Sequence, residues 1–88
     1  MQYLQFKRTV LDLFMKSVFP KDAFLSDGLP LPILRQKLRE IDPLLSDTDF
    51  KTYILQLYRQ NAVQLEEADE PRAGELVDAL GHHFFYVH

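Results

Sequence analysis

Prolines at positions 20, 30, 32 and 43 cut the first half of this 88-residue chain into short pieces. A proline inside a helix removes a backbone hydrogen bond and clashes with the preceding turn. The residue before each proline is also pushed toward extended geometry. No long helix can therefore form, and any helices must be brief and joined by tight connections. The first runs from about Gln2 to Phe19 and stops at Pro20. Tyr3, Phe6, Val10, Phe14 and Ser17 recur at spacings of three and four, the helical period. Leu4, Leu11 and Val18 add a second stripe. On a wheel of 100° per residue the apolar arc covers roughly 200°, about twice the usual core-facing width. Either the helix is central and buried on two sides by its own domain, or part of the arc faces a partner subunit; 88 residues can hardly wrap such a helix fully. In the second reading Leu4, Leu11, Met15 and Val18 are the candidate dimer surface.

Asp27-Gly28 is a turn dipeptide. Leu29 to Leu31, interrupted by Pro30, reads as a short extended segment. Pro32 suits the first turn of a second helix, Pro32 to Ile41. Leu34, Leu38 and Ile41 share its apolar face. Arg35, Gln36, Lys37, Arg39 and Glu40 cover the other face, and Asp42-Pro43 closes it.

The third helix has the sharpest local signature. Ser46 is a strong N-cap, with Asp49 three residues later as a capping-box-like partner. Leu45 and Phe50 fit a hydrophobic staple around that cap. Phe50, Ile54, Leu57 and Asn61 then share a face, flanked by Tyr53 and Tyr58. Asn61 suits a left-handed terminator. Beyond it, Val63 to Glu66 alternates apolar and polar residues as a half-buried strand does. A long acidic connector follows. Ala73 to Leu80 within it is expected to form a helical turn or two, docking Leu76, Val77 and Leu80. "HHFFYVH" ends the sequence as an aromatic strand, a pattern open to continuation into a further domain.

The order is helix, short extended piece, helix, helix, strand, long turn, strand. Over nearly its whole length the chain resembles the winged helix-turn-helix family. The resemblance rests on element order and lengths. It implies one domain over residues 1–88: mainly α with a small antiparallel β hairpin (α+β), three main helices followed by a two-stranded wing. The first helix would back the core, the Pro32 helix would position, and the Ser46 helix would be the recognition helix. The strands around Val63 and Phe85 would form the wing. The connector between them is longer than a typical wing.

Composition narrows the chemistry. There is no cysteine, so disulfides and thiolate metal sites are excluded. No stretch approaches the ~18 apolar residues of a membrane helix, and no signal-peptide pattern opens the chain. A soluble, cytoplasmic protein is expected. Ser17, Ser26 and Ser46, the only serines, lie in no nucleophile motif, and Gly28, Gly74 and Gly81 build no phosphate loop. Neither an enzyme, a cofactor nor a small-molecule substrate is expected. His82 and His88 would stand about 20 Å apart on one strand face, too far for one metal ion. Asp47 and Asp49 begin like a calcium loop, but Thr52 and Tyr58 occupy the places that need Gly and Glu.

Two functions remain. The outward face of the third helix carries Lys51, Thr52, Leu55, Gln56 and Arg59, and Arg35, Lys37 and Arg39 lie on the helix before it. Together they form a candidate face for double-stranded DNA or for a protein partner. Net charge is −3, unevenly spread: residues 1–61 hold nine Lys/Arg and seven Asp/Glu, residues 62–88 one Arg and six Asp/Glu. DNA affinity comes largely from phosphate neutralisation. Asp47 and Asp49 sit at the end of the helix that would enter the groove, and Glu66, Glu67, Asp69 and Glu70 acidify the hairpin. The leading expectation is thus a non-catalytic winged-helix interaction module, a homodimer or part of a larger assembly. The alternative is the DNA-binding domain of a transcriptional or replication regulator.

Overall fold

The computed structural model describes residues 1–16, 28–70 and 72–88. The expected run of the first helix to Phe19, its stop at Pro20, Val18 of the dimer surface and Asp27 of the turn lie outside the described residues. Among the described residues there are three helices and an antiparallel sheet of four short strands. Their order is α1 Tyr3–Met15, β1 Leu29–Pro30, α2 Leu31–Ile41, α3 Asp47–Arg59, β2 Leu65–Glu67, β3 Leu76–Val77 and β4 His83–Val87. This is a small α+β arrangement. No helix among the described residues is long and apolar enough to cross a membrane.

The helices form where local signals and apolar spacing agree. α1 buries Phe6, Val10 and Leu13, with Tyr3 and Phe14 packed partly against the core. α2 begins one residue before its proline and buries Leu31, Leu34 and Leu38. Ile41, expected on that face, is instead half exposed at the last residue of the helix, where the chain turns away at Asp42. α3 starts at the expected cap: the Asp49 N–H donates to Ser46 Oγ at 3.0 Å. Leu45 and Phe50, on either side of the cap, are both buried. The helix ends in a Schellman pattern. Asn61 takes φ 59°, its N–H donates to the Tyr58 carbonyl, and the Ala62 N–H donates to that of Leu57. Asn61 itself points to solvent rather than sharing the core face. α1 crosses α3 through aromatic contacts: the Phe6 ring centroid lies 6.1 Å from Phe50 and 5.1 Å from Tyr53.

The sheet is larger than the expected hairpin. β4 runs between β2 on one side and β1 and β3 on the other, in the order β1-β4-β2 with β3 also paired to β4. Val87 faces both Leu29 and Leu65, and Phe84 faces both Glu67 and Leu76. The β2 ladder extends through reciprocal hydrogen bonds between Gln64 and His88. Phe84, Phe85, Tyr86 and Val87 are all buried, a continuous run typical of a strand covered on both faces. An isolated two-stranded wing could not cover it. The connector supplies the extra strand: Leu76–Val77 is extended, not the helical turn expected over Ala73 to Leu80. Gly74 at φ +88° and the turn from Asp78 to Gly81 leave too few residues between them to nucleate a helix. Leu76 is buried as expected, but Val77 and Leu80 are exposed.

Two glycines let segments approach closely. Gly28 has φ +120°, and a Cβ there would stand 2.8 Å from the Val87 carbonyl oxygen. Gly74 lies against the Pro32 ring, where a Cβ would come within 2.6 Å of Cγ, so the connector is held on the start of α2.

Each histidine ties β4 to a neighbouring segment: His82 Nδ1 to Asp78 Oδ2 at 2.9 Å, His83 Nδ1 to Glu75 Oε1 at 2.9 Å, and His88 Nε2 to Glu66 Oε1 at 3.5 Å. Asp78 also accepts from the backbone N–H groups of Leu80 and His82, which fixes the β3–β4 turn. The hydrogen bond to Asp78, and then its charge, raise the His82 pKa above the usual 6.5, with Glu67 adding in the same direction. The same hydrogen bond holds the Asp78 carboxyl below its usual 3.8.

Two outcomes are expected. Gly28→Ala must strain both the backbone and the Val87 carbonyl, and should destabilise the protein by about 2 kcal/mol or more in denaturant unfolding. The His82–Asp78 pair should give thermal stability a defined pH window. The raised His82 contributes fully below its unfolded pKa of 6.5, and that contribution is lost as pH rises through its folded value. The depressed Asp78 contributes above 3.8, and that is lost as pH falls through its folded value. Melting curves from about pH 3 to about pH 9 should show His82→Gln losing most against wild type in the interval between those limits, and nearly matching it at the alkaline end.

Candidate interaction surface

The structure resolves the puzzle of the negative helix start. Ser46 caps α3, so Asp47 occupies its first turn, where a carboxylate is favoured by the helix dipole. Asp47 also reaches across to α2. Its Oδ1 lies 2.6 Å from Arg35 Nη1, and its Oδ2 lies 3.2 Å from Lys51 Nζ one turn along α3. The hydrogen bond from Arg35, followed by that from Lys51, holds the Asp47 carboxyl below the usual 3.8. Two of the candidate cations are thus brought together, and both are turned onto the same anion. Asp49 is exposed beside them, with its backbone N–H spent on the cap.

The remaining candidate residues are spread out. Lys37 Nζ lies 3.4 Å from Glu40 Oε2 on its own helix. Arg39 is exposed on the outer side of α2, where Pro32, Arg35, Gln36, Arg39 and Glu40 line an open groove. On α3, Thr52, Gln56 and Arg59 are exposed, while Leu55, expected in the middle of the outward face, is only half exposed and packs against the core. Arg59 is in the last turn of α3, twelve residues from Asp47, or about 18 Å along the axis.

The exposed large apolar side chains fall in several places. Leu4 is 66% exposed and Met15 84%, while Leu11 between them is half-buried. Ile41 and Leu44 are exposed at the turn joining α2 to α3, and Val77 and Leu80 at the β3–β4 turn. The start of α1 is anchored against that α2–α3 turn: the Met1 amino group lies 3.1 Å from Asp42 Oδ2. Its hydrogen bond, ahead of one from the Leu44 N–H, lowers the Asp42 pKa. Tyr3 Oη donates to Gln60 Oε1 at 2.6 Å, and Lys7 Nζ donates to the same oxygen at 3.3 Å, linking α1 to the end of α3.

Sequence reasoning missed the Asp47 hub. The Asp47–Lys51 half was visible as an i,i+4 pair. The Arg35 half depends on how α2 packs on α3 and has no local signal. It also missed the apolar tip at Leu80, because a helical turn was expected there. The His82, His83 and His88 rings each engage a different carboxylate, and among the described residues no group of three or more acidic or histidine side chains is placed to hold a metal ion. Comparison with protein-family models, with curated proteins and with solved structures found no match.

Proposed function

We propose that this chain is a non-catalytic winged-helix module that works by protein–protein association. The observation that carries this reading is Asp47. It occupies the leading end of α3 and draws in Arg35 and Lys51, two of the cations a duplex would need. Affinity for DNA comes from cations free to neutralise phosphate, and a cation already shared with a carboxylate must first be released. The apolar side chains at Leu4, Met15, Ile41, Leu44, Val77 and Leu80 lie on the opposite account: surface that a partner could cover.

The winged-helix assignment is supported by the run α1, β1, α2, α3 followed by the strands β2, β3 and β4, and by the tight turn between α2 and α3. It departs from a simple two-stranded wing, since β4 is shared by β2, β1 and β3. In this reading the β3–β4 turn is the tip of the wing. It presents Leu80 between Asp78 and His82, an apolar residue on an acidic hairpin, which suits a protein surface better than a phosphate backbone.

The alternative, a DNA-binding domain of a regulator, draws on Arg59. It is exposed beside Thr52 and Gln56 and has no ion pair among the described residues. A titration of nonspecific duplex DNA at low and moderate salt separates the two readings. Wild-type protein is expected to bind weakly or not at all even at low salt. Asp47→Asn should gain salt-sensitive binding, because Arg35 and Lys51 are released, while stability falls by no more than about 1 kcal/mol for a solvent-screened pair. Tight wild-type binding that weakens steeply with salt and disappears in Arg59→Ala would replace the association reading with the DNA reading.

A further inference from the structure

Leu4, Arg8, Leu11 and Met15 lie in one arc of about 60° on α1, roughly opposite the core-facing Phe6, Val10 and Leu13. Leu4 and Met15, near the two ends of this seam, are 66% and 84% exposed. Between them the exposed surface carries opposite charges in a fixed order: Arg8 toward the start of the helix and Asp12 four residues later. Asp12 shares its carboxylate with Lys16 at 3.1 Å. Arg8 has no carboxylate partner among the described residues, although an i,i+4 neighbour of opposite sign is available. Val18 would continue the seven-residue spacing of Leu4 and Leu11 but lies outside the described residues.

This face is complementary to itself in one orientation. We propose that α1 docks antiparallel on α1 of a second copy of the chain, with the twofold axis crossing the seam between Arg8 and Leu11, midway along the helix. The proposal rests on reading the chain as a protein-association module and names the partner. Leu4 then faces the partner's Met15, and Arg8 faces the partner's Asp12. These two pairings differ by one residue of register, about 1.5 Å along the axis, well within side-chain reach. Leu11 packs on the aliphatic stem of the partner's Arg8, whose charged end stays at the rim. A parallel pair would set Arg8 against Arg8 and Asp12 against Asp12, and would align the two helix dipoles. The antiparallel pair opposes the dipoles and joins unlike charges. Such a contact is isologous and closes as a dimer, leaving no open surface for further copies at that site.

The interface is modest. α1 has 13 residues and is about 20 Å long, so two of them bury less than a standard protein interface. A reversible dimer with a dissociation constant on the order of 10–100 µM is expected.

The test is sedimentation velocity on the full chain from about 5 µM to about 1 mM, spanning that constant. Wild type should pass from monomer to dimer. Leu4→Glu and Met15→Glu, at exposed positions, should each raise the dissociation constant about tenfold or more while leaving the circular dichroism melt unchanged. Register is read by cross-linking, since the chain has no cysteine of its own. An equal mixture of Leu4→Cys and Met15→Cys should form disulfide dimers under mild oxidation, and neither variant alone should do so efficiently. Cross-linking of Leu4→Cys with itself would overturn the antiparallel arrangement. A dimer indifferent to Leu4→Glu and Met15→Glu would overturn the assignment to α1. A protein that stays monomeric throughout and ignores DNA overturns self-pairing alone and leaves association with another protein. A monomer that binds DNA through Arg59 overturns both.

Discussion

The burial of β4 governs how the C-terminal third of the chain is arranged. Four consecutive residues, Phe84 to Val87, are buried, so side chains on both faces and backbone groups on both edges need partners. β2 meets one edge, with its ladder prolonged by the Gln64–His88 bonds. The other edge is longer than any one neighbour, and β1 and β3 cover it end to end. That requirement explains features that look unrelated. Gly28 is a glycine because the backbone entering β1 passes within van der Waals contact of Val87. Gly74 lets the connector lie on Pro32 and deliver β3 to its place. Asp78 gathers two backbone N–H groups and the His82 ring, so that the chain reverses from β3 into β4 within a few residues. The ring of Phe85 is covered in part by Arg72 from the same connector, its guanidinium 5.4 Å from the ring centre.

α1 and α3 form the other half of the core. Phe6 fits between Phe50 and Tyr53, and the edge-to-face and tilted geometries are those aromatic rings prefer. Tyr58, on the far side of α3, meets Phe84 of β4 at 5.3 Å. α3 is therefore gripped from α1 on one side and from the sheet on the other, while Asp47 links its first turn to α2. Its orientation is fixed at three places along its length. That leaves Thr52, Gln56 and Arg59 as a narrow exposed ridge, not a broad reading face.

What could be read from the sequence were the features that depend on neighbours within about one helical turn. The Ser46 cap, the Asn61 terminator and the burial of Phe50, Ile54 and Leu57 all follow from local spacing, and each is found in the structure. The exposed Leu4 and Met15 were legible because an apolar arc wider than a core can cover must surface somewhere. The failures are non-local. Leu76–Val77 is too short to carry a strand signal of its own, and it is extended because β4 offers an open edge there. Ile41 continues the spacing of Leu34 and Leu38, but the chain leaves the core at that residue. Leu13 was not singled out, because the stripes read for α1 ran beside it, yet the packing of α1 buries it. The candidate surface divided in the same way: Lys51 and Asp47 are a local pair, whereas Arg35 joins them only because α2 crosses the start of α3.

Formal charge is a poor guide to what this surface can bind. The first 61 residues carry a small positive excess on paper, but several of those cations are committed within the fold. Arg35 and Lys51 share Asp47, Lys37 reaches Glu40, and Lys16 reaches Asp12. Each exposed pair adds little to stability, because solvent screens it. Its larger effect is on recognition, since a paired cation presents a weak field to an approaching polyanion. The acidic side chains of the connector and β2 are engaged differently: Asp78, Glu75 and Glu66 each contact a histidine of the C-terminal segment. Of these histidines, His82 is held protonated to higher pH by Asp78, and as it loses its proton the β3–β4 turn becomes more negative. The charge at that turn therefore changes with pH, whereas the exposed Leu4 and Met15 of α1 carry no titrating group.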